Sequence, residues 1–549
     1  MNFPSKLFLY WNTIRHLKAV QIYGRVWLKL YRPKPDLSEA PPLRKGNTIW
    51  TPAVVKQPSI SGPSCFRFLN EEHELHSASD WNNKDWDKLW LYNLHYFDDL
   101  NAEGSEDRKR LHVALMHRWA AENPPGCGNG WEPYPVSLRV VNWIKWALRG
   151  SDLDRGLLQS LAVQARFLRK RLERHLLGNH LFANAKALIF AGLFFSGPEA
   201  DDWLNEGLAI LEREAPEQVL ADGGHFERSP MYHAVILEDF LDLINVSSAY
   251  TAPFNGRRGE LRRNWIKAAH RMLSWLKVMS HPDGEIVLFN DAALGIAAAP
   301  AELEAYATLL GMEAVEEESG GLILLAETGC ARITEGPAVV FLDVGPCGPD
   351  YLLGHAHADT LNFELSLHGR RVIVDTGVSC YGEGPERQRQ RSTAAHNTVV
   401  IDAHNSSEVW GGFRTARRAR PFNLKMTRNE QETVVGCSHD GYRRLPGKPV
   451  HRREWRITAN GMTIKDTVDG GFSEAIARVH FHPEATVDLS SPECGKIAMP
   501  GGNGLAWRIG GGAARIEPSS HHPQFGASLA NQCLAVKLHG PELVITFSW

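Results

Sequence analysis

GHAHADTLNFELSLHGRRVIVDTG, residues 354–377, is the stretch on which the reading of this chain turns. Two imidazoles, His355 and His357, and a carboxylate, Asp359, stand just before a run in which apolar and polar residues alternate. Such alternation marks a half-buried strand. The next strand-like run ends on a second carboxylate, Asp375, and His396 opens a later one, HNTVVID (396–402). Two His and an Asp converging from three β segments can ligate a metal. His355 is then left over for acid–base chemistry.

Outward from this stretch the period of two persists. AVVFLDV, ETVVGCS, REWRITANGMTIKDTVDG and LVITFSW read as strands, and Asn460-Gly461 as a hairpin turn. LILLAETGCARIT, past Gly320, reads the same way. Upstream, apolar residues recur every three to four positions in segments 108–122, 135–149, 152–177, 179–195, 201–214, 229–250 and 257–279. Gly- and Pro-bearing breaks such as NPPGCGNG (123–130) divide them. Serial helical hairpins suit an α-solenoid or an α/α toroid, and no strict short-period repeat is visible. Helices first and strands after mean segregated layers, an α+β multidomain chain, rather than βαβ units. The expected division is an amphipathic arm and Pro-rich linker over 1–46, a helical domain over 47–315, and an antiparallel β domain over 316–549.

Composition narrows the function. At 549 residues the chain has room for two to three domains. With 43% hydrophobic residues and a net charge of −3, it is not a general nucleic-acid binder. Local basic runs, RQRQR (387–391) and RTARRAR (414–420), lie beside the His cluster and suit an acidic ligand, although such runs often only face solvent. Seventeen Trp supply core and also faces on which sugar rings stack. The eight Cys form no CxxC, so neither a zinc finger nor a disulfide framework is indicated. No stretch approaches the ~20 apolar residues of a membrane span. Residues 1–32 read as a basic amphipathic helix, a packed arm with membrane-surface contact as its alternative. KLFLYW (6–11) is apolar but shows no small-residue cleavage site, which leaves a cytoplasmic location open.

Three helical motifs carry chemistry. In SPMY (229–232), Ser229 suits an N-cap and Pro230 the first helical position. Tyr232 then falls in the first turn, where the helix dipole favours a phenolate, with His225 and Arg228 nearby. The alternative is a Tyr packed in a helical core. Asn179 and His180 open another helix after Gly178 and can donate to a carboxylate, or serve only as a cap. Tyr92 and His95, in WLYNLHYFDD (90–99), line a sugar groove or form a helix–helix seam.

These pieces together resemble the heparinase II/III-like polysaccharide lyases along nearly the whole chain. The matching stretches are LWLYNLHYFDDL (89–100), WEPYPVSLRVVNWIKW (131–146), GNHLFANAKAL (178–188), DGGHFERSPMYH (222–233), GHAHADTLNFEL (354–365), VIVDTG (372–377) and RSTAAHNTVVID (391–402). The resemblance implies an incomplete α/α toroid followed by an antiparallel β-sandwich, with a cleft between them. It implies β-elimination on a uronic acid: a base at C5, an acid at the C4–O leaving group, and a group neutralising the C5 carboxylate. It places Asn179, with His180, as neutraliser, and Tyr232 and His355 as the acid–base pair. It implies a structural zinc on His357, Asp375 and His396, no organic cofactor, an acidic polysaccharide substrate and a periplasmic location. Trp131, Arg139 and Tyr442 join Tyr92, His95, His225 and Arg228 as expected substrate contacts. His355 and His357 would share a face on a regular strand, so a free His355 beside a metal-bound His357 requires a local bend or different ring orientations. A uronyl C5-epimerase shares the first proton transfer and is the alternative enzyme. A metal-dependent hydrolase fits the His-x-His poorly in this helix-then-strand context. A non-catalytic polysaccharide-binding or scaffold protein is the alternative of another class.

Overall fold

The structure, a computed structural model, describes residues 3–46, 50–316, 320–502 and 504–549. Two helices, α1 (Phe3–Ile14) and α2 (Ala19–Leu30), precede a small hairpin of strands Cys65–Phe68 and Glu71–Glu74. The helical half follows: α3 (Lys88–Tyr96), α4 (Lys109–Glu122), α5 (Pro133–Leu148), α6 (Arg155–Lys170), α7 (Gly178–Phe194), α8 (Pro198–Gln218), α9 (Pro230–Ala249), α10 (Arg257–Val278) and α11 (Pro300–Leu309). The helix expected over 152–177 stops at Lys170. The chain turns there, and Leu177 enters left-handed space (φ 64°) to deliver Gly178 and Asn179 to a new helix. The aromatic run at 90–97 is α3, largely buried.

Inside the toroid the apolar faces form one continuous core. It holds a buried charge cluster. Lys186 on α7 reaches Asp239 at 2.6 Å and Asp242 at 2.5 Å, both on α9, and Lys145 on α5 pairs with the same Asp242. Paired this way the charges fix three helices in one arrangement; any one left alone would cost several kcal/mol.

Past Leu322 every named strand is antiparallel. A five-stranded sheet runs in order Leu322–Leu325, Cys330–Glu335, Ala338–Asp343, Phe363–Leu367, Arg370–Ile373. LILLAETGCARIT is therefore two strands and a turn. An eight-stranded sheet carries Val450–Thr458 and Gly461–Asp469 across the Asn460 turn, as expected. A four-stranded sheet contains Val399–Ile401 and Ala475–His480. The inner faces share a second core that includes Trp455, Trp507, Phe363 and Phe547. This is an α/α toroid followed by an antiparallel β-sandwich.

The two halves are joined by packing and by buried polar pairs. Trp275 and Met279 at the end of α10 pack on Ile323, Val339 and Phe341 of the first sheet. Glu364 in the same sheet accepts from Leu288 N (2.7 Å) and faces His281 Nε2 (3.1 Å), while Arg371 pairs with Asp283. All these helical-side partners lie in 275–288, so one short segment ties the helical half to the first sheet.

Candidate active site

The HAHAD stretch is not a strand. Residues 354–362 lie outside regular structure, and the strand begins at Phe363. The chain there packs on the loop at Asn290–Asp291, where Asn290 (φ 58°) occupies the left-handed region that Asn tolerates. Asn290 Oδ1 accepts from His357 N (3.0 Å) and its amide donates to Arg228 O (3.1 Å). That loop therefore ties the approach to α9 to the His-bearing loop.

Asp291 is the hub. One oxygen faces His355 Nδ1 at 2.9 Å and the other His357 Nε2 at 2.8 Å. Arg387 grips both oxygens, with Nη2 2.7 Å from Oδ2. Carboxylate and guanidinium are both fully buried. Burial pushes the Asp291 carboxyl up, but Arg387 and the two imidazoles outweigh it and hold it well below the ordinary range. The two histidines thus converge on one carboxylate from irregular chain, His355 through Nδ1 and His357 through Nε2, so their rings are oriented differently. With Nδ1 turned to Asp291, the other His355 nitrogen, Nε2, faces Glu227 Oε2 at a long 3.5 Å, and the side chain keeps 11% exposure.

Tyr232 and Asn179 come from the helical wall. Ser229 caps α9 by accepting from Tyr232 N (3.2 Å), as the sequence predicts, and Pro230 takes the first helical position. The Tyr232 ring lies 3.8 Å from the His355 ring, centre to centre, and its hydroxyl is 3.0 Å from that of Tyr381. The expected phenolate is overturned. Burial raises the Tyr232 phenol well above its ordinary value, and Tyr381 and Tyr134 add to the effect. Desolvation outweighs any help from the helix dipole.

Asn179 is buried in the first turn of α7. Gly178 before it is costly to replace: its φ is +54°, and a Cβ would stand 2.5 Å from Leu352 Cδ2 and 2.9 Å from Glu227 Oε1, so both side chains would have to move. Glu227 sits between Asn179 and His355. Burial raises its carboxyl, while His355 and the Asn179 backbone amide pull the other way. His180 faces Glu173 at 3.1 Å and lies against Tyr134, ring centres 4.6 Å apart. Burial alone would lower its pKa, but Glu173 outweighs it and raises it.

The structure therefore brings Asn179, Tyr232 and His355 together around Glu227, with His180 next to Asn179 in the chain. It disperses most of the expected substrate contacts into structural roles. His95 is fully buried between Trp81 O and the Trp119 indole. Arg139 is fully buried, spent on Gln164, His95 O and Gly130 O, and stacked on Trp119. Trp131 donates to Asn123 O in the same core. His225 is buried against Gln218 and His233. Arg228 is spent on two carbonyls, Pro346 O and Glu327 O. Tyr442 is buried in the sandwich, donating to Val399 O at 2.6 Å. Aromatic and charged residues packed in helical hairpins fill the core as readily as a groove, and here they fill the core. Tyr92 stays half-buried, hydrogen-bonded to Glu132.

The basic runs are also consumed: Arg387 and Arg391 are buried, Arg417 pairs with Glu408, and Arg418 and Arg420 pair with Asp350. Sequence reading missed Asp291, Glu227, Tyr134 and Tyr381. It also missed Phe413, 45% exposed, whose ring stands 5.1 Å from Tyr381 and 6.3 Å from His355.

Two of these core imidazoles set a pH dependence. Burial lowers His95 to about 3, and burial lowers His233 to about 4. In the unfolded chain each takes up a proton near 6.5, so between that value and the folded value the unfolded state binds more protons. Stability is full above pH ~6.5 and is lost as pH falls toward 4, each group steepening the slope by up to ~1.4 kcal/mol per pH unit. Melting temperatures measured from pH 7 down to 5 should fall; a flat profile would contradict the neutral burial of both rings.

At the expected metal residues, His396 Nδ1 faces Asp375 Oδ2 at 2.7 Å, and that carboxylate also accepts from Asn362 (2.5 Å) and Gly377 N (2.9 Å). The His357 and His396 rings are 5.2 Å apart. His357 Nδ1, His396 Nε2 and Asp359 Oδ2 are buried without hydrogen-bond partners. Among the described residues no three His, Cys, Asp or Glu are arranged as a metal cage.

With this geometry in view, comparison with known proteins defines the class. Residues 74–312 match the family Heparinase II/III N-terminus, and residues 318–549 match Heparinase II/III-like, C-terminal. The chain belongs to the heparinase II/III-like family. It is 29% identical over 259 residues to the heparin-sulfate lyase of Bacteroides stercoris (42% of this chain, 37% of that protein). It is 26% identical over 371 residues to that of Pedobacter heparinus (59% and 53%). The chain thus spans about half or less of the length of these lyases. It is also 24% identical over 496 residues to FtsZ-localized protein C of Caulobacter vibrioides (84% and 81%). A crystal structure of heparinase III has the same fold, with TM-score 0.67 at 18% identity over 97% of this chain and 85% of the other.

Proposed function

We propose that this chain is a polysaccharide lyase that cleaves a uronate-containing, heparan-sulfate-like polymer by β-elimination in the cleft between its halves. One observation carries the reading: Tyr232 of the helical half and His355 of the β half stack at 3.8 Å, with Asn179 beside them across Glu227. Asn179 and His180 bind the substrate carboxylate, and Glu173 at 3.1 Å orients the His180 ring. His355, oriented through Nδ1 by Asp291, takes the C5 proton at Nε2. Tyr232, held neutral by burial, gives its proton to the C4 oxygen as the bond breaks. Stacked rings approach the sugar from one side, which suits a syn elimination. Phe413 at the rim offers a face to a neighbouring sugar. A periplasmic site of action belongs to the same reading.

The test is a panel of uronate polysaccharides followed by ultraviolet absorbance, which rises only when elimination makes a conjugated double bond. Asn179→Ala should slow turnover by ~10²–10³-fold on any polymer the parent cleaves, through poorer stabilisation of the enolate charge. A loss below tenfold would remove Asn179 from that role.

A structural zinc is part of the proposal. The observation in its favour is the pair of unpartnered buried nitrogens on His357 and His396, since an unpaired buried polar atom costs ~1–3 kcal/mol. His357 and His396 would hold the ion, with Asp375 or Asp359 supplying the carboxylate. Zinc there would pin the loop that carries His355 and do no chemistry itself. Elemental analysis should find about one zinc per chain, and His396→Ala should lose it together with several degrees of melting temperature. Metal-free parent protein would count against it.

A second reading is a non-catalytic scaffold. One relative that matches over 84% of this chain and 81% of its own length is named FtsZ-localized protein C. Polymer binding without any absorbance change across the panel would favour it.

A further inference from the structure

Helices α1 and α2 are amphipathic the wrong way round for a globular protein. On α1 the face turned inward carries Asn12, 3% exposed, and Thr13, whose hydroxyl accepts from the Trp410 indole at 3.1 Å. The outward stripe is Leu7, Trp11 and Ile14, exposed by 57%, 64% and 45%. On α2 the inward face carries Gln21, 1% exposed and donating to Tyr351 O at 3.1 Å. Gly24 lies so close to His175 that a Cβ would stand 2.9 Å from it. The outward face is Ile22, Tyr23, Val26, Trp27 and Leu30, each 48–77% exposed. A helix normally buries its apolar stripe and exposes its polar one. Here ordered polar contacts seat the helices, so the apolar faces are held outward by the fold. Exposed apolar faces of this extent mark interaction sites.

Charge identifies the occupant. Residues 1–35 contain seven Lys and Arg and no acidic residue; the first is Asp36. Lys18 pairs with Glu217, but among the described residues Lys6, Arg15, Arg25, Lys29, Arg32 and Lys34 have no ion-pair partner. A second copy docked face to face would bring like charges together. An anionic lipid surface would instead take up the cations while its acyl boundary takes up the Trp, Leu and Ile side chains. Each helix has 12 residues, or ~18 Å, well short of the ~30 Å hydrocarbon core. The helices can therefore lie in the interface plane but not cross it.

We infer that the α1–α2 pair is a docking surface for an anionic lipid bilayer, on which the protein sits peripherally. Trp410, against which Tyr10 packs edge-on at 4.7 Å, belongs to the hairpin Val409–Trp410 and Arg414–Thr415. The tip of that hairpin carries Phe413 to the cleft. The docked surface and the cleft rim therefore share one element.

The full chain should be sedimented with vesicles of phosphatidylcholine alone and of phosphatidylcholine with phosphatidylglycerol. It should pellet with the anionic vesicles, less so at high salt, and much more weakly with the neutral ones. The double variant Trp11→Glu, Trp27→Glu alters two exposed side chains and should keep the parental melting temperature and oligomeric state. Its binding should be weaker by at least ~10-fold, because the apolar insertion is lost. Parent protein that stays in the supernatant with anionic vesicles would overturn the proposal. So would equal binding to both vesicle types, or variant binding equal to the parent's. A parental dimer that the same substitutions dissolve would assign the face to a second copy, and would also overturn it. None of these results depends on lyase activity.

Discussion

Tyr232→Phe should lower turnover by ~10²–10⁴-fold while leaving the fold intact, the loss expected when a general acid is removed. The substitution keeps the ring that stacks on His355 and deletes one oxygen, whose partner is the Tyr381 hydroxyl 3.0 Å away. KM should change little, since the ring contacts remain. The raised pKa of this phenol makes it a proton donor across the neutral range, so the pH–rate profile of the parent should show no basic ionisation of Tyr232 below its ordinary value. Near-parental activity in a folded Tyr232→Phe protein would take Tyr232 out of the mechanism and leave His355 with both proton transfers.

Asp291→Asn should be the most destabilising single change at the site. Arg387 is fully buried and Asp291 is its counter-charge. Removing that charge strands a cation in the interior, for which about 3–5 kcal/mol is typical. The same substitution frees His355 Nδ1 and His357 Nε2 from their common acceptor, so whatever folds should also turn over slowly. Denaturant unfolding reads the first effect. Pairing the change with Arg387→Met should recover much of the stability but not the activity, because no carboxylate then orients His355. A loss below ~1 kcal/mol would mean the pair behaves as if solvated.

The fold was legible because the hydrophobic period changes. Three-to-four spacing before Gly320 and alternation after it report which residues turn inward; Val450–Thr458, Gly461–Asp469 and Glu542–Ser548 follow that rule, while Ala338–Asp343 and Phe363–Leu367 are buried on both faces. Tyr232 was legible through Ser229-Pro230, a cap whose mechanics are local. Asp291 was not. It lies in a loop with no periodicity, and its partners are 64, 66 and 96 residues away in the chain. The nearest signal is Asn290-Asp291 at the end of the apolar run IVLF (286–289), since Asn tolerates the left-handed turn found there. Arg387 read as part of a basic run for an acidic ligand or for solvent, because only the tertiary fold supplies the carboxylate that buries it. His95, Trp131 and Arg139 show the converse error. Their residue types suit a sugar groove, but the face each takes is set by neighbouring helices, which place them in the core around Trp119.

The central claim is that this cleft performs β-elimination on a uronate polymer. Its most direct test is the ultraviolet absorbance of heparan sulfate incubated with the parent protein and with Tyr232→Phe. A steady rise with the parent, nearly abolished in the folded variant, is the predicted result. New reducing ends without absorbance would indicate hydrolysis, and solvent exchange at C5 without chain cleavage would indicate epimerisation. Either result, or no change on heparan sulfate or any other polymer of the uronate panel, would contradict the account.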